Sequence, residues 1–271
     1  MIQKTKYLQA NLAAAIILPL LITSCNSDAP LMERPEKVYY DTAQRRMKAN
    51  NFFSAIESLQ AIEARYPFGR YAEQAQSELI YAYYMNGEDE ASHEAAEKFI
   101  RLNPRHPNID YAYFMRGIAS YTRDKGVFAR VFKSDLSNRD ISGAKQAFGE
   151  LSEFLTRFPQ SQYAPYASQR LVYLRSLIAK SELVAAEYYL KRKAYVAALR
   201  RAKYVIENIP NTSENMRALQ IIRECYEVLG YFELMEDIER VIEINGGIII
   251  EISEPSSWNF FSRKAPRPNQ N

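Results

Sequence analysis

Between Glu73 and Pro104 apolar residues recur at helical spacing in two runs separated by Asn86-Gly87. Leu79, Ile80, Tyr83 and Tyr84 share a face of the first run. Ala91, Ala95, Ala96, Phe99 and Leu102 share a face of the second, with mostly polar residues between them. Steps of three and four put side chains on one side of a helix, so the stretch reads as two amphipathic helices joined by a tight turn. Pro104 lacks an N–H and its ring clashes with the preceding turn, so it ends the second helix. One such pair cannot bury its own apolar face, and further copies must stack beside it.

The rest of the chain supplies the copies. A first pair runs from Val38 to Pro67, turns at Asn50-Asn51, and lines its second helix with Ala55, Leu59 and Ile62. A third pair opens near Asp110, is interrupted by an irregular stretch from Thr122 to Ser142, and resumes from about Gly143 to Phe158 before Pro159. The fourth begins with an overlong helix from Tyr163, primed by Pro165, to about Lys191; Ala198, Ala202 and Val205 mark its second helix before Pro210. The fifth spans about Ser213 to Ile244 and turns at Leu229-Gly230. Each of Pro67, Pro104, Pro159 and Pro210 follows a small residue twelve positions upstream: Ala55, Ser92, Ala147 and Ala198. Leu79, Tyr83, Gly87, Ser92, Ala96, Phe99 and Pro104 fall where a tetratricopeptide unit of about 34 residues places large, small and terminating residues. The expectation is an all-α, right-handed solenoid of about five tetratricopeptide-like (TPR) helix pairs over residues 36–245, its halves meeting near 160. The third and fourth repeats are irregular, because the proline stops are unevenly spaced.

The first 24 residues read as an export leader. Lys4 and Lys6 precede an apolar run from Leu12 to Ile22 that is short for a membrane span. The run ends in Leu21-Ile22-Thr23-Ser24-Cys25, which resembles the bacterial lipobox. There a peptidase cuts before the cysteine once a diacylglycerol is on its thiol. Cys25 is therefore the expected lipidation site, and Asn26 after it favours release to the outer membrane by that resemblance. Several acyl chains, at about 0.8 kcal/mol per buried CH₂, anchor a protein stably. Residues 25–35 carry two prolines and no periodicity, and read as the lipidated tether.

Composition argues against several functions. The chain carries 35 basic and 32 acidic side chains, a formal net charge of +3. Losing Lys4 and Lys6 with the leader lowers that charge further, so no nucleic-acid footprint is present. His93 and His106 are the sole histidines, each in a polar or turn context without a metal-spaced companion. Cys225 is a lone thiol on an amphipathic helix and reads as packing. No nucleophile, base and orienting group assemble, and no phosphate-binding glycine loop is present. The reading is a binding protein, not an enzyme, with no cofactor and no metal. Residues 246–271 fall outside the repeats: Ile248 to Ile252 is a β-branched run, and a polar, basic stretch with Trp258, Phe260 and Phe261 follows. This tail is expected to lack fixed structure, and the isoleucine run reads as an end cap or a strand offered to a partner.

Two places read as binding surfaces. Arg65-Tyr66-Pro67-Phe68-Gly69-Arg70-Tyr71 gathers three aromatics and two guanidiniums around a turn, suited to stacking and to pairing with a carboxylate. Tyr66 and Tyr71 have an equal alternative as packing residues. Arg200-Arg201 lies on the second helix of the fourth pair, where a solvated charge run is the plainer reading.

The strings R-Y-P-F-G-R-Y, L-I-Y-A-Y-Y, F-I-R-L-N-P-R-H-P-N-I-D-Y, S-Q-Y-A-P-Y-A-S-Q-R-L-V-Y-L and A-E-Y-Y-L-K-R-K-A-Y-V-A-A-L-R-R together resemble the BamD (YfiO/ComL) family. Its members are lipoprotein subunits of the Gram-negative β-barrel assembly machine. The likeness runs from the lipobox to about Asn245. It implies a lipid-anchored protein on the periplasmic face of the outer membrane that binds the last POTRA domain of BamA and contacts BamC and BamE. It also implies that the N-terminal repeats receive the C-terminal β-signal of unfolded outer-membrane proteins. By motif, Arg65, Tyr66, Phe68 and Tyr71 become the β-signal candidates and Arg201 the BamA-facing candidate. The tail is longer than the family pattern, so no role transfers to it. The alternatives are another repeat lipoprotein, acting as a pilotin or peptidoglycan-machinery adaptor, and an envelope hydrolase with an unrecognised site. Co-purification with a secretin or with cell-wall enzymes would mark the former, and turnover abolished by one polar substitution the latter.

Overall fold

Ten helices follow one another in the computed structural model, which describes residues 34–123 and 140–246. They are α1 (Glu36–Lys48), α2 (Phe52–Arg65), α3 (Ala72–Asn86), α4 (Asp89–Leu102), α5 (Ile109–Arg123), α6 (Ser142–Arg157), α7 (Ala164–Lys191), α8 (Tyr195–Asn208), α9 (Asn215–Leu229) and α10 (Phe232–Asn245). Each helix packs on the next, and first helices of successive pairs also touch: α3 meets α5, and α7 meets α9. This is an all-α repeat solenoid of five helix pairs, with no strand among the described residues. The leader, Cys25, most of the Thr122–Ser142 stretch and the tail beyond Gly246 lie outside the described residues.

Local chemistry sets the breaks. Asn50 adopts φ 56°, and the Asn51 side chain accepts the Ser54 N–H at 3.2 Å to cap α2. Gly87 and Gly230 close α3 and α9 in the left-handed region, at φ 86° and 78°, where a Cβ would be strained. The N–H of Tyr66, Asn103, Phe158 and Ile209 each reaches back four residues to a helical carbonyl just before its proline or turn. No described helix is long and apolar enough to cross a membrane.

Helix pairing explains the small residues twelve positions before the prolines. Ala55, Ser92, Ala147 and Ala198 are all at 0% exposure, where the second helix of a pair meets the first. The Ser92 hydroxyl donates to the Ile80 carbonyl of α3 at 2.8 Å, so even the polar member is satisfied at the crossing. Gly117 of α5 serves the same purpose from the other side, since a Cβ there would come within 2.6 Å of Leu151 on α6. One apolar core runs the length of the repeats, from Ala43 and Met47 to Ile222 and Cys225. Burial pushes the Cys225 thiol up to about 11, consistent with packing rather than reactivity.

Candidate functional site

The turn after α2 is held by a residue far away in sequence. Glu36, at the start of α1, accepts the N–H of Arg70 at 3.1 Å and of Tyr71 at 2.7 Å. Its carboxylate therefore caps the N-terminus of α3, where free N–H groups and the helix dipole favour negative charge. Gly69 is needed for this approach, because a Cβ there would lie 2.2 Å from Glu36 Oε1. Gly69→Ala is expected to push the carboxylate away and cost about 1–2 kcal/mol, roughly the worth of a helix cap. Faster tryptic cleavage at Arg70, with the rest of the chain unchanged, would show it.

The aromatics of this turn divide. The Tyr71 ring stacks on Tyr40 of α1, with centroids 4.5 Å apart and planes 17° apart. Tyr66 tilts over Tyr39 at 6.5 Å. Arg65 donates to the Tyr39 hydroxyl at 2.8 Å. These three fasten α1 to the turn. Phe68 is 100% exposed. Of the four residues grouped by sequence, the structure leaves Phe68 as the open contact and makes the others its frame.

The second place is a cavity of about 810 Å³ where α6, α7 and α8 converge. Arg201 on α8 donates to Glu182 Oε2 on α7 at 2.7 Å, and Lys145 on α6 donates to Glu182 Oε1 at 3.2 Å. Glu182 is buried, while the side chains of Arg201 and Lys145 are about half exposed. Burial works to raise the Glu182 pKa, but the bonds from Arg201 and Lys145 outweigh it and hold the carboxyl below its ordinary value. Tyr189, Tyr195, Tyr204, Lys193 and Arg200 also line the wall, with Val196 and Leu229 among its apolar members. Four cations against one carboxylate, among three phenols, give the wall a net positive and aromatic character. Arg201 lines this cavity with its side chain about half exposed.

Glu182 and Lys145 escaped the sequence reading. Glu182 had a signal: it stands four residues after Ile178 and eight after Leu174, on a stripe where all three are buried. A carboxylate on an apolar stripe requires a partner.

The reading of His93 needs correction. Its surroundings are polar, but it lies in no turn: it is buried on α4, with Nε2 2.8 Å from Glu150 Oε1 on α6. Glu150 also accepts from Ser120 at 2.7 Å and from Gln146 at 3.0 Å, and Arg116 Nε lies 3.9 Å away. Arg116 in turn donates to Glu153 at 2.6 Å. Glu97 brings a third ligand-type atom, so one atom each of His93, Glu97 and Glu150 lies within 4.8 Å of the others. With Ser120, Gln146 and Arg116 around Glu150, the cluster is an ion-pair network joining α4, α5 and α6. Glu97, four residues on along the same helix, was within reach of a spacing argument, whereas Glu150 lies 57 residues away and was not.

A family model described as "YfiO: Outer membrane lipoprotein" matches residues 32–241, nearly the whole solenoid. The chain belongs to the YfiO family. It is 33% identical over 234 residues to a protein of Vibrio cholerae named outer membrane protein assembly factor BamD, covering 86% of this chain and 97% of that one. A Neisseria meningitidis protein of the same name is 36% identical over 210 residues, covering 78% of each chain. A third, from Xylella fastidiosa, is 34% identical over 250 residues, covering 90% of this chain and 86% of that one. In this YfiO-family chain both candidate surfaces fall within the matched span.

Proposed function

We propose that this chain is a BamD-type assembly factor of the outer membrane, a scaffold that binds and breaks no bond. The observation that carries the reading is likeness to relatives named BamD along the full solenoid rather than in one repeat. In this reading residues 1–24 are a leader, 25–35 a tether lipidated at Cys25, 36–245 the solenoid and 246–271 a tail. The protein then hangs from the outer membrane on its periplasmic face.

The two surfaces take different partners. The Phe68 turn, framed by Arg65, Tyr66 and Tyr71, receives the aromatic-ended β-signal of an unfolded outer-membrane protein. The cavity at Arg201 receives a carboxylate-bearing loop of the BamA POTRA domain, exchanging part of the Glu182 pairing for an intermolecular one. BamC and BamE complete the assembly. Client affinity is modest, since an unfolded segment pays ordering entropy when it binds. Helix pairs stacked on a continuous core give the two surfaces a common rigid support.

The test is affinity capture of the lipidated protein from mild-detergent extracts, comparing the wild type with Arg201→Ala and Phe68→Ala. Arg201→Ala is expected to weaken recovery of the barrel subunit on the order of tenfold, the size of a central interface residue. Phe68→Ala should leave that recovery intact and lower binding of an aromatic-ended client peptide about fivefold. Capture of a secretin or of cell-wall enzymes, without a barrel subunit, would sink the reading and return the function to another repeat lipoprotein.

A further inference from the structure

The solenoid ends on an uncovered face. The second helices of the other four pairs carry buried residues, among them Ala55, Leu59 and Ile62 on α2 and Ala198, Ala202 and Val205 on α8. The last one, α10, has none. Met235 and Ile238 pack partly against the core. Leu234, Val241 and Ile244, seven and three residues apart, share a flank and are 46%, 39% and 83% exposed. In a stack of repeats that flank belongs to the neighbour that would come next, and an end repeat needs a cap in its place.

The chain carries a segment matched to this face in position, reach and charge. The described residues stop at Gly246, at the end of α10, and Gly247-Ile248-Ile249-Ile250-Glu251-Ile252 follows at once. The 14 residues of α10 run about 21 Å at about 1.5 Å each. An extended chain covers that length in about six or seven residues at about 3.3 Å each. Residues 247–253 are therefore long enough to retrace the helix. Side chains of an extended segment alternate, so Ile248, Ile250 and Ile252 share one side and Ile249 and Glu251 the other. The surface of α10 is acidic: Glu233, Glu236, Asp237, Glu239 and Glu243 stand against Arg240 on the helix and Arg223 of α9, which pairs with Glu239 at 2.6 Å. Beyond Pro255 the tail has no acidic residue and carries Arg263, Lys264 and Arg267.

We propose that residues 247–271 fold back along α10 as the solenoid's own end cap. Ile248, Ile250 and Ile252 cover the Leu234–Val241–Ile244 flank, and the basic distal stretch lies over the helix's acids. The terminal repeat is then closed by the chain itself, independently of whether the assembly-factor reading holds.

Hydrogen exchange by mass spectrometry tests this on the mature lipidated chain in nanodiscs holding one copy each. Four proteins are compared: the full chain, a chain ending at Gly246, Ile250→Asp and Ile249→Asp. Amides of α10 are expected to exchange on the order of tenfold faster in the truncated chain and in Ile250→Asp, with Ile249→Asp close to the full chain and α1–α8 unchanged in all. The unchanged α1–α8 amides report that each variant is folded. Identical α10 exchange with and without the tail would overturn the proposal. So would protection that appears only in discs holding two copies, which would assign the face to a second chain. Equal loss in Ile249→Asp and Ile250→Asp would overturn the one-sided docking.

Discussion

Phe154→Ala is expected to destabilise the solenoid by about 3–5 kcal/mol, the range for emptying a large buried aromatic site. Phe154 is at 0% exposure on α6. Its ring lies 5.8 Å from Phe114 of α5 and 6.0 Å from Phe158 at the end of its own helix. Phe114 also stacks on Tyr163, at 5.1 Å and 12°, beside the start of α7. Removing Phe154 therefore takes a supporting ring from a cluster that joins the third pair to the fourth. Such clusters do not collapse easily, because α5 and α6 already approach as closely as Gly117 allows. Urea unfolding followed by far-UV circular dichroism measures the loss. A midpoint shift equivalent to under about 1 kcal/mol would show that the cluster repacks. Phe68→Ala is the matched control, since a fully exposed ring changes stability by no more than about 0.5 kcal/mol.

Glu150→Ala is expected to cost about 3–5 kcal/mol, because it takes the carboxylate from His93 in a largely buried setting, while Arg116 keeps Glu153. The Ser120 hydroxyl loses its acceptor as well. The same network predicts a pH profile with two limbs. The hydrogen bond to Glu150 raises the His93 pKa above 6.5, against an opposing effect of burial. A raised histidine contributes stability that is fully present below its unfolded pKa and is lost as pH climbs through the folded value. For Glu150, burial pulls upward, but bonds from His93, Ser120 and Gln146 prevail and lower the pKa below 4.5. A lowered carboxyl contributes stability present above its unfolded value and lost as pH falls through the folded one. The pair is therefore strongest between the ordinary carboxylate and histidine ranges, and weakens on either side. In His93→Gln the alkaline limb should vanish from the urea midpoint measured between pH 5 and pH 9. A limb that persisted unchanged in that variant would assign it to another group.

The candidate surfaces were legible in sequence to different depths. The turn from Arg65 to Tyr71 stood out by its density of aromatics and guanidiniums, and Arg201 by the string that contains it. Density alone could not say which ring is free. Tyr71 and Phe68 are three residues apart, yet one is stacked on Tyr40 and the other is fully exposed. That difference is made by α1, whose Glu36 pins the turn across 34 and 35 residues of sequence. Likewise Arg201 reads as one of two adjacent charges until α7 brings Glu182 beneath it.

What the sequence by itself determined is everything local. Helical spacing defined the pairs, Asn50, Gly87 and Gly230 the turns, and the prolines the stops, because each acts through backbone geometry within a few residues. It also marked the closest crossings, since a small residue at a constant offset from each proline has a steric meaning on any helix pair. Only the tertiary structure decided which charges meet. His93 and Glu150 are 57 residues apart and Glu182 and Arg201 are 19 apart. Their pairing depends on how whole helices lie against one another, and a buried charge is stable only where that arrangement supplies its partner.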